Sequence, residues 1–318
     1  MGELENRLLA AATPKYFKGV SDLVAKELVV YWWLKRNKRI VFNSSGRGAE
    51  WRVRMRRSTP IGYSGVESIN FQARNDREIA TLAYRGIADG FMLTWQEMEE
   101  AKGEEAIFNL LDESTADLDS DLLDALASDA YGDGSTGTRT DKTIHGFAAA
   151  IDTTLTYAGL SQVSFSNWQA QVISGAGFSN DPVGKIHRLK NATAKGEKGG
   201  KSRSKIDLAL MTDTDFEALS AKLEANRRYL RNEEMAEAGF DNVICHGIVC
   251  AKDEYCTSAT IFGLNSRTWE LRCTTKNVFE TFDGWTSQLP RVYTGVGVSH
   301  MNLFCYNPRA NGKLTSTT

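Results

Sequence analysis

Residues 139–172 read RTDKTIHGFAAAIDTTLTYAGLSQVSFSNWQAQV. Gly146 opens an apolar run, Phe147–Ile151, which Asp152 closes. Tyr157-Ala158-Gly159 follows, and Trp168 stands near the end. His145 has no Ser or Cys partner by motif, so the stretch does not have the shape of an active site. The segments on either side say what kind of chain carries it.

Immediately upstream, residues 97–131 are acidic, with Lys102 the only base. Ile107, Leu110, Leu111, Leu118, Leu122, Leu123 and Leu126 recur at helical spacing. The pattern predicts a helix from Glu104 to Tyr131, about 42 Å long at 1.5 Å per residue, stopped by the glycines of 132–137. Further upstream, residues 35–78 alternate apolar and polar, the period of strands. Trp51, Val53 and Met55 fall on one face and Arg52, Arg54 and Arg56 on the other. Asn43–Gly48 reads as the turn joining a strand at 39–43 to one from Glu50. Such a basic ribbon cannot be stable alone and must lie on something. Residues 1–34 read as an arm: Leu4, Leu8 and Leu9 form a short amphipathic turn, Pro14 interrupts it, and a helix over 23–34 ends in Trp32 and Trp33. Those tryptophans fit either a core or an anchor on a neighbour.

Downstream, Ile206–Met211 reads as a buried strand and Thr212–Asp215 as a cap for a helix over 216–229. Residues 238–253 read as two strands about a glycine turn, with further strands at 260–264, 269–273 and 299–306. Strands and helices interleave without βαβ regularity, which makes the class α+β.

The 318 residues suffice for one large or two modest domains, and 42% apolar with 25% charged content is that of a folded chain. A net charge of −2 argues against a nucleic-acid coat. No apolar run approaches a membrane span, and the first residues lack a signal-peptide pattern. Cysteines 245, 250, 256, 273 and 305 lack zinc spacing and read as free thiols. Gly200-Lys201-Ser202 departs from the phosphate-loop motif, whose first glycine would fall at Lys195; Gly175-Ala176-Gly177 lacks the third glycine of a dinucleotide turn. Asp213 and Asp215 are better caps than an acid–base pair. The residues point to no catalytic, cofactor-binding or metal-ligating group.

The stretch 139–172 resembles the segment that follows the long helix in major capsid proteins of tailed bacteriophages. Three further segments are similar to that family in the same order: Leu208–Leu219, Ala238–Glu254 and Phe262–Arg272. Ile248-Val249 stands where many members carry a proline. The resemblance, spanning about 35–306, implies an HK97-like capsid fold. Its parts are an N-terminal arm over 1–34, an extended E-loop hairpin over 35–78 and a P-domain with a spine helix over 79–134. An A-domain covers 135–260, and the remaining P-domain and A-domain strands and the tail lie in 261–318.

The same resemblance implies a non-catalytic subunit that assembles as hexamers and pentamers into an icosahedral head around phage dsDNA, without sequence-specific binding. Portal and decoration proteins are expected partners. Because the arm begins at Met1, a separate scaffolding protein is expected too. No membrane is involved, and the place is the virion, assembled in the bacterial host cytoplasm. The charge contrast between ribbon and helix fits either two solvated faces or electrostatic register between subunits. On the second reading Trp32, Trp33, Arg47, Arg52, Arg54, Arg56, Glu104, Glu105, Asp112, Asp117 and Asp121 contact neighbours. Two alternatives are an encapsulin-like compartment and an enzyme handling phosphate through Lys201.

Overall fold

The computed structural model of the chain describes residues 29–56, 62, 64–65, 76–96, 104–134, 143–194, 206–225, 233–237, 239–285 and 292–317. The expected arm lies outside these residues up to 28. Its last part belongs to the body instead: helix α1 (Val29–Arg36) buries Val29, Val30, Tyr31, Trp33 and Leu34 in the main core. The helix ends where Lys38 turns left-handed and the Arg39 N–H donates to the Leu34 carbonyl.

The acidic helix runs over the expected residues, as α2 (Glu104–Tyr131). Its buried stripe, including Leu111, Leu118, Leu122 and Leu126, rests on a five-stranded sheet. The axis of that sheet is β14 (Val292–Cys305), 14 residues long. On one side it pairs antiparallel with β4 (Arg85–Thr94). Its other side is shared by β13 (Glu280–Trp285) and β12 (Trp269–Cys273). Gly297 lies directly under the helix: a Cβ there would come within 2.5 Å of Leu122 Cδ1. A bare backbone at that point lets α2 approach the strand closely.

The basic ribbon pairs differently from the sequence expectation. Strand β1 (Ile40–Val41) does not fold back on residues 50–57; it adds in parallel to β12, with Ile40 opposite Leu271. Strand β2 (Gly48–Arg54) takes β3 (Arg77–Ala83) as its antiparallel partner, from Gly48↔Ala83 to Arg54↔Arg77. The local turn is real, with Asn43 and Gly46 at positive φ. It redirects the chain rather than closing a hairpin, because the Asn43 and Ser44 N–H groups are taken by the carbonyls of Thr275 and Cys273.

The second sheet has the order β7-β15-β11-β8-β10-β9. Its strands are β7 (Gln171–Ser174), β15 (Gly312–Thr315), β11 (Thr260–Leu264), β8 (Leu208–Met211), β10 (Ile248–Lys252) and β9 (Asn242–Cys245). All four residues of β8 are buried, as befits a central strand covered on both faces. Alternation divides them. Leu208 and Leu210 join the main core beside α2, while Ala209 and Met211 join a second core. That second core lies under α4 (Pro182–Thr193) and α5 (Asp213–Ala225). Asp181 caps α4 by accepting from Gly184 N–H, whereas at the start of α5 the Asp215 carboxylate accepts from the Thr212 and Thr317 hydroxyls.

The quoted stretch joins the two sheets. Helix α3 (Phe147–Ala150) follows Gly146. Phe147, fully buried, meets Trp269 edge-on at 4.9 Å, Tyr131 at 5.4 Å and Phe262 at 5.9 Å. One side chain therefore touches the spine helix and a strand from each sheet. Residues 144–170, which include the short pair β5 (Thr156–Tyr157) and β6 (Leu160–Ser161), contribute Ile144, Ile151, Tyr157 and Trp168 to the same core.

Candidate assembly surface

The ribbon is two-faced because its strands alternate. Inward, Ala49 opposes Leu82 and Trp51 opposes Ala80. Trp51 packs edge-on against Tyr306 at 5.3 Å and Phe304 at 6.2 Å. The Asn167 amide donates to the Met55 carbonyl at 2.9 Å, and Thr81 N–H donates to the Ala158 carbonyl at 3.0 Å. The base of the ribbon is thus anchored on its own subunit. Outward, Glu50 opposes Thr81, Arg52 opposes Ile79, and Arg54 opposes Arg77. All six are exposed, and Ile79 is 60% accessible. Arg54 reaches Asp76 at 2.9 Å, which relieves the like-charge pair with Arg77. Arg47 and Arg56 flank this face and are exposed.

The alternation of β2 predicts Arg52 and Arg54 outward, and they are. Arg77 and Ile79 were missed, because they join the face only through long-range pairing with β3. The face they form is mainly positive, with Ile79 its one large apolar side chain among the described residues.

On α2, Asp117, Asp121 and Asp124 are exposed. Asp124 accepts from the Tyr255 hydroxyl at 2.5 Å, and this bond pushes the Tyr255 pKa up to about 12. Asp117 and Asp121 point to solvent from the same helix. Glu104, Glu105 and Asp112 belong to it too, with side chains outside the described part.

The tryptophan pair separates. Trp33 is 5% exposed within its own core, which removes it from the residues able to meet a neighbour. Trp32 is half-buried, packs edge-on against Phe240 at 5.8 Å and lies 5.6 Å beneath the Arg36 guanidinium. Its spare edge alone remains for another chain.

The chemistry elsewhere is muted. All five cysteines are buried and free. Burial pushes the thiol pKa of Cys245 to about 11 and of Cys273 to about 12, so neither is a ready nucleophile at neutral pH. His187 stacks on His246 at 4.5 Å, while the Lys190 ammonium donates to the His246 carbonyl. Among the described residues, no three His, Cys, Asp or Glu side chains gather as metal ligands, and no helix is long and apolar enough to cross a membrane. The lysine- and glycine-rich loop 195–205 lies outside the described residues. Gly175–Gly177 is part of the connection from β7 to α4, with Gly177 at positive φ.

No family model matches the sequence, and no curated protein matches it. Solved structures do share the fold. The cyanophage A-1(L) capsid asymmetric unit superposes with a TM-score of 0.67 at 15% identity, over 87% of this chain and 90% of that one. The capsid of Myoviridae phage XM1 gives 0.55 at 14%, over 89% and 90%. The capsid of a native GTA particle gives 0.56 at 11%, over 90% and 91%. The architecture is therefore α+β and HK97-like.

Proposed function

We propose that this chain is the major capsid subunit of a tailed bacteriophage: a structural protein that forms hexamers and pentamers and closes them into an icosahedral shell around dsDNA. The observation that carries the reading is the sharing of one fold with capsid subunits over about nine-tenths of both chains. The exposed basic ribbon supports it: its base is anchored on its own subunit, while Arg52, Arg77 and Ile79 face solvent. On this reading the ribbon of one subunit lies over the acidic spine of the next. A scaffolding protein, a portal and a decoration protein complete the assembly in the host cytoplasm, and the product is the virion head. No catalytic step is assigned.

The test is electron microscopy of the purified protein, alone and with the products of neighbouring genes. Closed shells, or capsomers that close when a scaffold is added, are expected. A monomer or dimer under every condition overturns the reading. The ribbon is tested with the Arg52→Glu, Arg77→Glu double variant. Both side chains are exposed, so the unfolding free energy should change by no more than about 0.5 kcal/mol. Shell yield should fall at least tenfold, and wild-type yield should itself drop with added salt. Normal shells from the double variant remove the ribbon from the assembly surface.

A further inference from the structure

Among the described residues, Asp253, which is buried, and Asp207 and Asp152, which are half-buried, are held by donors. Asp253 accepts from the Tyr131 hydroxyl at 2.7 Å and from Tyr255 N–H at 3.1 Å. Asp207 accepts from Ser266 N–H at 2.9 Å, and Asp152 receives the Lys313 ammonium at 3.0 Å. Asp119 is different. It sits inside the apolar stripe of α2, one residue past Leu118 and three before Leu122, and is 7% exposed. Neither of its carboxylate oxygens has a hydrogen-bond partner. A leucine would suit that stripe; an acid there adds only a dependence on its protonation state.

We propose that Asp119 is a protonation switch in the seam between the spine helix and its sheet, neutral when the helix is fully docked and ionised at the expense of that docking. The physical basis is the desolvation of a carboxylate with no donor, which falls on the charged form alone. Burial raises the Asp119 pKa from 3.8 to about 6. Among the described residues, the facing elements offer no relief. On β4 the charged groups are Arg85, which donates to the carbonyls of Gly134 and Thr143, and Asp89, which accepts from Gly90 N–H. On β14 the titratable side chains are Tyr293, His300 and Cys305, and α3 has none. On α2 itself the described ones are Asp117, Asp121, Asp124, Asp129 and Tyr131, all acids. The inference does not depend on the assembly reading.

The sign follows from linkage. The folded state holds its proton more tightly than the unfolded chain, so the contribution is fully present below about pH 4 and is lost as pH rises through about 6. Between pH 7 and pH 5 the folded-to-unfolded ratio should rise about tenfold through this group alone.

The experiment compares the full-length protein with Asp119→Asn and Asp119→Ala by urea unfolding and by amide exchange over residues 115–123, at both pH values. The wild type should gain about tenfold more than either variant on going to pH 5, with matching protection in α2. Both variants should exceed the wild type at pH 7. Equal gains in wild type and variants overturn the proposal. Should neither variant fold, infrared spectroscopy of the wild type decides: no growth of a protonated-carboxyl band between pH 7 and 5 overturns it equally.

Discussion

A Gly146→Ala chain should fail to dock the end of the spine helix and should be recovered largely as insoluble protein. The reason is distance and not dihedral freedom. Gly146 has φ −85° and ψ −163°, open to any residue. A Cβ on it would lie 2.4 Å from the carbonyl oxygens of both Asp129 and Ala130. These are among the last carbonyls of α2; that of Asp129 accepts from Gly132 N–H at 3.0 Å, and the bare backbone of 146 packs closely against both. Both atoms in the way are main chain, and neither can swing aside as a side chain can.

The segment cannot retreat either. Arg85 clamps the loop through the Gly134 and Thr143 carbonyls at 2.8 Å each, and His145 N–H donates to Asn302 at 2.9 Å. Phe147, next in the chain, is fixed by the aromatic cluster. Relief must come by lifting the whole segment off α2, at a cost of about 3 kcal/mol or more. That is a large share of the roughly 5–15 kcal/mol that holds a domain folded. Ala148→Gly in the same short helix changes backbone freedom without adding an atom, and should lose only about 1 kcal/mol. Urea unfolding of whatever soluble fraction remains checks both. A Gly146→Ala midpoint equal to that of wild type would show that the contact is slack.

Legibility in the sequence followed the range of the interactions. The spine helix was readable because leucines at helical spacing and a glycine stop are local signals. So were β11 and β12, where short apolar runs end in polar turns. The ribbon was misread at its pairing because the partner of β2 lies beyond residue 76, while a genuine turn at Asn43–Gly46 offered a nearer one. Strands β4 and β14 were partly or wholly overlooked for another reason. Gly86, Gly90, Gly295 and Gly297 suggest loop, yet the residue at 297 is bare because Leu122 descends onto it. Of the candidate surface, the arginines of β2 and the acids of α2 could be seen from alternation and helical period. The fate of Trp33 could not, since a tryptophan at the end of a helix carries the same letters in a core as at an interface.

Replacing Asn311 is expected to be strongly destabilising. The side chain is fully buried at the turn leading into β15. Its Oδ1 accepts from Asn265 N–H at 2.8 Å and from Trp269 Nε1 at 2.9 Å. Its amide donates to the Thr268 hydroxyl at 2.9 Å and to the Asn307 carbonyl at 3.1 Å. Two donors and one two-sided acceptor are all used, and three of the four groups they serve lie on Asn265, Thr268 and Trp269, where β11 of one sheet passes into β12 of the other. Truncation to alanine removes the hub and leaves the Trp269 indole N–H and the Asn265 N–H without acceptors, each orphan costing about 1–3 kcal/mol. The loss should be about 3 kcal/mol or more. Asn311→Asp makes the sharper comparison. It keeps the acceptor but cannot donate at neutral pH, and a buried carboxylate must then be tolerated beside the Asn307 carbonyl. Its unfolding midpoint should recover as pH falls and the acid becomes protonated, whereas that of Asn311→Ala should not. Identical pH profiles for the two variants would mean that the site is hydrated and that the bonds to Trp269 and Asn265 are interchangeable with water.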